Sequence, residues 1–107
     1  MATGTLGSSD LSANTNTTVY TVPADTYGVF TVSFCNRGSS TSSIRLSVGT
    51  GDTPNAQEYL EYDVSLGPNG VLERTGIVSE ANKKVVVRSS QASVTCFIMG
   101  IETAVPA

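Results

Sequence analysis

Four carboxylates lie close together in the sequence and are the first candidates for a chemical role: Asp52, Glu58, Glu61 and Asp63. Clustered carboxylates suit a hard cation such as calcium. Their spacing does not match an EF-hand loop, and Glu61 and Asp63 alternate with apolar residues, as residues on the solvated face of a strand do. We therefore expect a charged strand surface here and no metal site.

Nucleophilic and phosphate chemistry find little support. The chain contains no His, so no imidazole is present to activate a serine, and no Gly-x-Ser-x-Gly motif occurs. The glycine-bearing loop 49–53 lacks the Gly-Lys-Ser/Thr ending of a phosphate loop, and Lys83 and Lys84 precede a strand as a solubilising turn. These absences predict a protein that is not an enzyme and has no cofactor and no catalytic residues.

Charge and hydropathy exclude two classes of partner. The net charge is −3 with only six Lys and Arg residues, whereas a nucleic-acid surface needs clustered cations. The N-terminal residues MATGTLGSS have neither a basic start nor an apolar run, so we expect no signal peptide. The longest apolar stretches, such as 97–101, are far shorter than the roughly 20 residues of a spanning helix. We expect neither nucleic acid nor a membrane as a partner.

What remains are side chains suited to contacts between proteins. Guanidinium groups pair well with interface carboxylates, and the candidates are Arg37, Arg45, Arg74 and Arg88. Tyr59 shares a predicted strand face with Glu61 and is the candidate aromatic anchor. Tyr62 alternates with Leu60 and Val64 and is predicted to lie in the core.

The elements that carry these residues are predicted to be strands. With 14 Ser, 14 Thr and 13 Val against 6 Leu and 4 Ile, the composition favours pleated structure. Alternation places Phe30, Val32 and Phe34 on one face of a strand, and Ile44, Leu46 and Val48 on one face of the next. A strand from Thr17 onward is followed by predicted strands at 29–35, 43–48, 58–66, 71–78, 84–88 and 93–102. Seven or eight short strands without a credible helix predict one antiparallel β-sandwich over residues 16–107, of jelly-roll or immunoglobulin-like type.

Two of these segments suggest more specific features. Pro68 and the Asn69–Gly70 pair predict a tight turn at 67–70, and hence a β-hairpin between its flanking strands. In the last strand, Phe97 and Met99 alternate with Cys96 and Ile98, so both faces are apolar. Such a strand is expected to lie centrally in its sheet or at a contact between subunits.

The first fifteen residues are predicted to form a flexible arm. They are rich in Gly, Ser, Thr and Asn and carry only Leu6 and Leu11 as large apolar side chains. An arm that orders on contact could span a joint between subunits, so both leucines are candidate interface residues. The two cysteines, Cys35 and Cys96, are expected to be free thiols.

Several short segments resemble small β-sandwich structural proteins of tailed bacteriophages. TTVYTVPA (17–24) and FCNRG (34–38) resemble the opening of these proteins, and LGPNG (66–70), LERTGIV (72–78), VVVRSS (85–90) and GIE (100–102) are similar to their closing half. Proteins of this kind serve as capsid decoration proteins, head or neck fibres and tail-fibre modules. The resemblance implies a structural protein located in the virion, made in the host cytoplasm.

Because the chain holds one module and no fibre shaft, we expect a capsid decoration (cement) protein that binds the major capsid protein or other virion proteins. A homo-oligomer, trimer or dimer, is expected because decorated lattices are symmetric. The alternatives are a neck, head-fibre or tail-fibre component, and a carbohydrate-binding module for host attachment. The last would need exposed aromatic residues along a groove.

Overall fold

Eight strands and one short helix make up the part of the chain that the computed structural model describes, residues 2–105. The strands are β1 (Thr3–Leu11), β2 (Thr17–Thr21), β3 (Thr26–Asn36), β4 (Ser42–Gly49), β5 (Tyr59–Leu66), β6 (Val71–Ser79), β7 (Lys84–Ser89) and β8 (Val94–Ala104), with a 3₁₀ helix at Ala56–Glu58 before β5. The strands predicted from alternation are all present. Within residues 2–105 no helix is both long and apolar enough to cross a membrane.

The strands form two four-stranded sheets that pack face to face. Sheet A has the order β1-β8-β3-β6 and sheet B the order β2-β7-β4-β5, and neighbouring strands are antiparallel throughout. Consecutive strands change sheets at every connection except that between β4 and β5, which is the order of a jelly roll. An immunoglobulin sandwich instead places its first, second, fourth and fifth strands in one sheet. The predicted all-β sandwich is confirmed, in its jelly-roll form.

The core lies between the sheets and follows the predicted alternation. Phe30, Val32 and Phe34 of β3 face Ile44 and Leu46 of β4 across it, all at or near zero exposure. These β-branched and aromatic side chains fit a pleated surface because each strand presents every second residue to the same side. Each fully buried side chain of this kind contributes about 1.5–3 kcal/mol to stability.

The N-terminal segment differs from the predicted arm. Thr3–Leu11 forms β1 and pairs with β8 along its whole length, from Thr3 opposite Ile101 to Leu11 opposite Val94. Leu11 is only 2% exposed and belongs to the core, and Leu6 packs against the core. The prediction failed because β1 is held by backbone hydrogen bonds to a strand far away in sequence, which its own Gly, Ser and Thr residues do not reveal.

The turn at 67–70 is also different from the prediction. It does reverse the chain, but β5 lies in sheet B and β6 in sheet A, so it joins the two sheets and forms no hairpin. The buried Asn36 at the end of β3 holds it: the Asn36 amide donates to Leu66 O (3.0 Å), Asn36 O accepts from Asn69 N–H, and Gly70 O accepts from Asn36 N–H. The path of the turn is therefore fixed by contacts with β3, a strand that the turn does not connect.

Polar pairs join the sheets at two margins of the core. The Tyr20 hydroxyl of β2 donates to Glu102 of β8 at 2.5 Å, and Arg74 of β6 bridges to Glu61 of β5 at 3.0 Å. Donation by the Tyr20 hydroxyl lowers the pKa of Glu102 below its usual range, while burial, followed by the hydrogen bond to Glu102, raises the pKa of Tyr20. Each pair ties one sheet to the other.

Candidate functional site

The seven residues predicted to form an interface separate into three groups. Leu6 and Leu11 belong to the core side of β1: Leu11 is buried in the core, and Leu6 is half-buried against it. Arg37 lies at one end of sheet A, and Arg74 at the sandwich margin. Only Arg45, Tyr59 and Arg88 come together, on the outer face of sheet B, where Arg45 of β4 is directly opposite Arg88 of β7.

The outer face of sheet A is apolar over three of its four strands. We define it by the side chains that alternate with the core residues of its strands: Thr3, Thr5, Ser8 and Asp10 of β1; Thr95, Phe97, Met99, Ile101 and Thr103 of β8; Tyr27, Val29, Thr31, Ser33 and Cys35 of β3; and Val71, Glu73 and Val78 of β6. All of its large apolar side chains except Val29 are exposed, up to 68% for Val78. Exposed apolar patches of this extent mark interaction sites.

Register arranges this face in rows across the sheet. Val78, Val29 and Ile101 lie side by side, because Val29 pairs with Val78 on one side and with Ile101 on the other. In the next rows Thr31 pairs with Met99, and Ser33 with Phe97. The large side chains therefore stand on β8, while the adjoining positions of β3 carry shorter ones, which gives the face a ridge beside a valley.

Few charges interrupt the outer face of sheet A. Its carboxylates are Asp10 and Glu73, and Asp10 is paired with Arg37, whose Nε also donates to Thr95 Oγ1 at 2.9 Å. No lysine lies on this face among the residues that define it. A surface of this composition suits another protein better than a polyanion or an anionic lipid surface.

The two cysteines are on opposite sides of sheet A. Both are free, as predicted. Cys96 faces the core and is fully buried, and this burial raises the pKa of its thiol to about 12. Cys35 is half-buried on the outer face, so it is the thiol that reagents in solution can reach.

The outer face of sheet B is partly covered by the chain itself. The connection between β4 and β5 lies against it, since Asp52 accepts hydrogen bonds from Thr18 of β2 (2.6 Å) and Lys84 of β7 (3.2 Å). These bonds, first that from Thr18 and then that from Lys84, lower the pKa of Asp52. The Glu58 carboxyl group lies directly over Gly49, since a Cβ at Gly49 would be 2.2 Å from the Glu58 carboxyl carbon.

Two outward-facing residues are buried on this side. Val86 of β7 alternates with the core residues Val85 and Val87, yet it is only 2% exposed. Its neighbour Ser47 of β4 is buried as well and donates its hydroxyl to Val86 O at 3.0 Å. Sheet B therefore buries apolar surface on both of its sides.

A tyrosine groove occupies the free part of this face and corrects one prediction. Tyr62 is 57% exposed rather than buried in the core, because β5 carries an extra residue opposite Arg45: Ile44 pairs with Val64, but Leu46 pairs with Glu61. At this bulge Asp63 has a φ of 55°, which Asp tolerates better than most residues. The bulge turns Tyr62 outward and points Glu61 toward the sandwich margin.

The groove combines aromatic and charged groups. The Tyr59 and Tyr62 rings meet edge to face at 4.9 Å, and Arg45 Cζ lies 4.3 Å from the centre of the Tyr62 ring. Arg45 also binds both carboxylate oxygens of Asp63, at 2.7 and 3.3 Å, which lowers the pKa of Asp63 and raises that of Arg45. Ala56 and the two tyrosines line a groove of about 570 Å³.

The four carboxylates Asp52, Glu58, Glu61 and Asp63 each have a separate local partner and do not form a cluster. Asp52 is bound to Thr18 and Lys84, Glu58 accepts the Asn55 N–H at the start of the 3₁₀ helix, Glu61 pairs with Arg74, and Asp63 pairs with Arg45. Each therefore stabilises a local contact. Within residues 2–105 no group of three potential metal ligands is assembled.

Sequence reasoning missed Tyr62 and the apolar positions of β6. The only signal for Tyr62 was the Asp that follows it, because Asp tolerates the left-handed conformation of a bulge. Val71 and Val78 are ordinary strand residues. Both point outward because the register between β3 and β6 shifts between the pairs Phe30–Ile77 and Val32–Arg74.

Comparisons of the chain with protein-family models, with curated proteins and with solved structures found no match.

Proposed function

We propose that this chain is a structural protein of a bacteriophage virion, in the role of a capsid decoration protein that binds the assembled head. The observation that carries the proposal is the exposed apolar outer face of sheet A, whose exposed side chains are not part of the core. The jelly-roll order, common in viral capsid domains, and the resemblance to phage β-sandwich proteins support it. Because one fold hosts many functions, the face has more weight than the topology.

In this role the protein works by adhesion. A decoration protein that binds the assembled shell and not its dissociated subunits stabilises the shell by mass action. It needs complementary surface rather than a nucleophile or a metal. The outer face of sheet A offers apolar surface for protein contacts on a rigid support, since β8 and β3 are the central strands of the sheet.

The test is the copy number of the protein in purified particles, measured by quantitative mass spectrometry against the major capsid protein. Symmetry ties location to stoichiometry. A number comparable to that of the capsid subunit is expected. A small number would instead indicate a neck, head-fibre or tail-fibre component, and absence from particles would contradict a virion role.

A carbohydrate-binding attachment module is a second candidate, favoured by the tyrosine groove. Tyr59 and Tyr62 offer aromatic surface, and Arg45 and Asp63 beside them offer hydrogen-bonding groups for hydroxyls. The groove volume of about 570 Å³ is in the range of small-ligand sites.

A glycan array tests this second candidate. Saturable binding that is lost in Tyr59→Ala and in Tyr62→Ala, but kept in Tyr27→Ala on the outer face of sheet A, would favour attachment over decoration. Lack of saturable binding by the unaltered protein would rule the candidate out.

A further inference from the structure

The geometry points to a two-fold dimer of this chain in which the outer faces of sheet A of two copies pack against each other. The inference rests on the same premise as the proposed function, that this face is an interface between proteins. It names the partner on this face as a second copy of the chain, so a dimer would contact the head through the surfaces that it leaves exposed.

The area of the face is sufficient for a specific contact. Four strands about 4.8 Å apart, each about nine residues long at about 3.3 Å per residue, give a face of about 600 Å². Two such faces in full overlap would bury about 1,200 Å², against the roughly 1,000 Å² that marks a specific interface.

The relief of the face is complementary to itself. A two-fold axis in the interface, parallel to the strands and between β8 and β3, places β8 of one copy over β3 of the other at the same height along the sheet. Met99 then faces Thr31 of the partner subunit, and Phe97 faces Ser33 of the partner subunit, because each pair shares a row. The ridge of large side chains on β8 thus enters the valley of short side chains on β3.

The same two-fold axis also determines what the two edge strands of the sheet face. The axis places β6 over β1 of the other copy, so that Val78 faces Thr3 of the partner subunit. Glu73 faces Ser8 of the partner subunit, and Asp10 faces Val71 of the partner subunit. No carboxylate meets a carboxylate, so the contact brings no like charges together.

The packing also agrees with how sheets stack. Two sheets pack face to face with their strands within about 30° of each other. A rotation of that size moves the corners of the two faces apart but leaves the centre in place. Met99 and Thr31 lie at this centre, so Met99 is the position where one charge should disrupt the dimer most.

The experiment is the molar mass of the full chain in solution, by sedimentation equilibrium up to about 100 µM. The unaltered protein is expected at twice its 11.1 kDa chain mass. Met99→Lys should sediment as a monomer, because a lysine there would be buried without a partner charge. Leu60→Lys is the matched control and should remain dimeric: Leu60 in β5 of sheet B is 37% exposed, against 38% for Met99.

Alkylation of Cys35 gives a second measurement, on the unaltered residues of the face. In the dimer Cys35 is covered, so iodoacetamide should modify it several-fold faster in Met99→Lys than in the unaltered protein or in Leu60→Lys. Cys96, buried with a pKa of about 12, serves as the unreactive internal control.

A monomer at about 100 µM, a trimer, or a Met99→Lys dimer would overturn the inference. These outcomes are separate from those of the proposed function. A monomer that is nevertheless abundant in particles would refute the dimer alone, whereas a dimer absent from particles would support the inference and refute the virion role.

Discussion

The two outer faces of this sandwich are built from the same kind of strand but are completed differently. On sheet B the β4–β5 connection is held against the face through Asp52, Val86 and Ser47 are buried, and a groove with paired charges remains. On sheet A no segment among residues 2–105 covers the outward side chains of β8 and β6, and Val78 is 68% exposed. Alternation therefore determines which residues face outward, while the connections between strands determine whether those residues are exposed to water.

Removal of β1 should have the largest effect on this contrast, because sheet A would lose one of its four strands and β8 would become an edge. Deleting residues 1–11 is expected to lower the free energy of unfolding by at least about 3 kcal/mol, since Leu11 alone contributes about 2–5 kcal/mol. Urea denaturation measures the change, and Leu11→Ala isolates the core contribution. An unchanged midpoint in the truncated protein would restore the interpretation of this segment as an arm.

The next largest effect separates two valines that both face outward. Val86→Ser on sheet B should cost about 1.5–3 kcal/mol of unfolding free energy, because a covered side chain is lost. Val78→Ser on sheet A is the matched control and should change it by less than about 0.5 kcal/mol. Both are measured by urea denaturation at low protein concentration, so that association does not contribute. Equal costs would mean that the two faces are covered to the same degree.

A smaller effect is expected at the Tyr20–Glu102 hydrogen bond, which joins the two sheets. Tyr20→Phe should lower the free energy of unfolding by about 1 kcal/mol at neutral pH. Because the folded protein lowers the pKa of Glu102, this stabilisation is present above the unfolded value of about 4.3 and is lost as the pH falls through the folded value.

The measurement for this pair is urea denaturation of both proteins across the acid range. The difference between the unaltered protein and Tyr20→Phe should shrink on acidification. A difference independent of pH would show that the hydroxyl acts through packing and not through the carboxylate.

How much of this could be predicted from the sequence differs from strand to strand. Alternation of apolar residues identified β3 and β4 and their core faces, because half-buried strands carry a local pattern. β1 carries no such pattern, and its pairing with β8 is non-local. The apolar outward side of β8 was visible in the sequence, and the structure confirms the central position of this strand.

The tyrosine groove depended on information that alternation does not contain. One inserted residue in β5 reverses the direction of Tyr62, and no residue type announces such a bulge with certainty. The turn at 67–70 shows the same limit, since Asn69 and Gly70 specify a chain reversal but not which sheet the next strand joins. Local chemistry was predictable here, and the pairing of distant strands was not.

On the outer face of sheet B charges are paired within the face, and the smallest effect is expected there. Arg45→Met removes the guanidinium that donates to Asp63, so the pKa of Asp63 should rise toward its usual range, as followed by NMR titration of the side-chain carboxyl. The pKa of Asp52 is the internal control and should not move, because Thr18 and Lys84 hold it. Both aspartates are exposed, so added salt should bring the two pKa values closer to their usual range in the unaltered protein. A pKa of Asp63 that stayed low in Arg45→Met would contradict this expectation. Arg88, which lies opposite Arg45 in the sheet, would then be the group that stabilises the Asp63 carboxylate, and the charge balance of the groove would depend on β7 instead of β4.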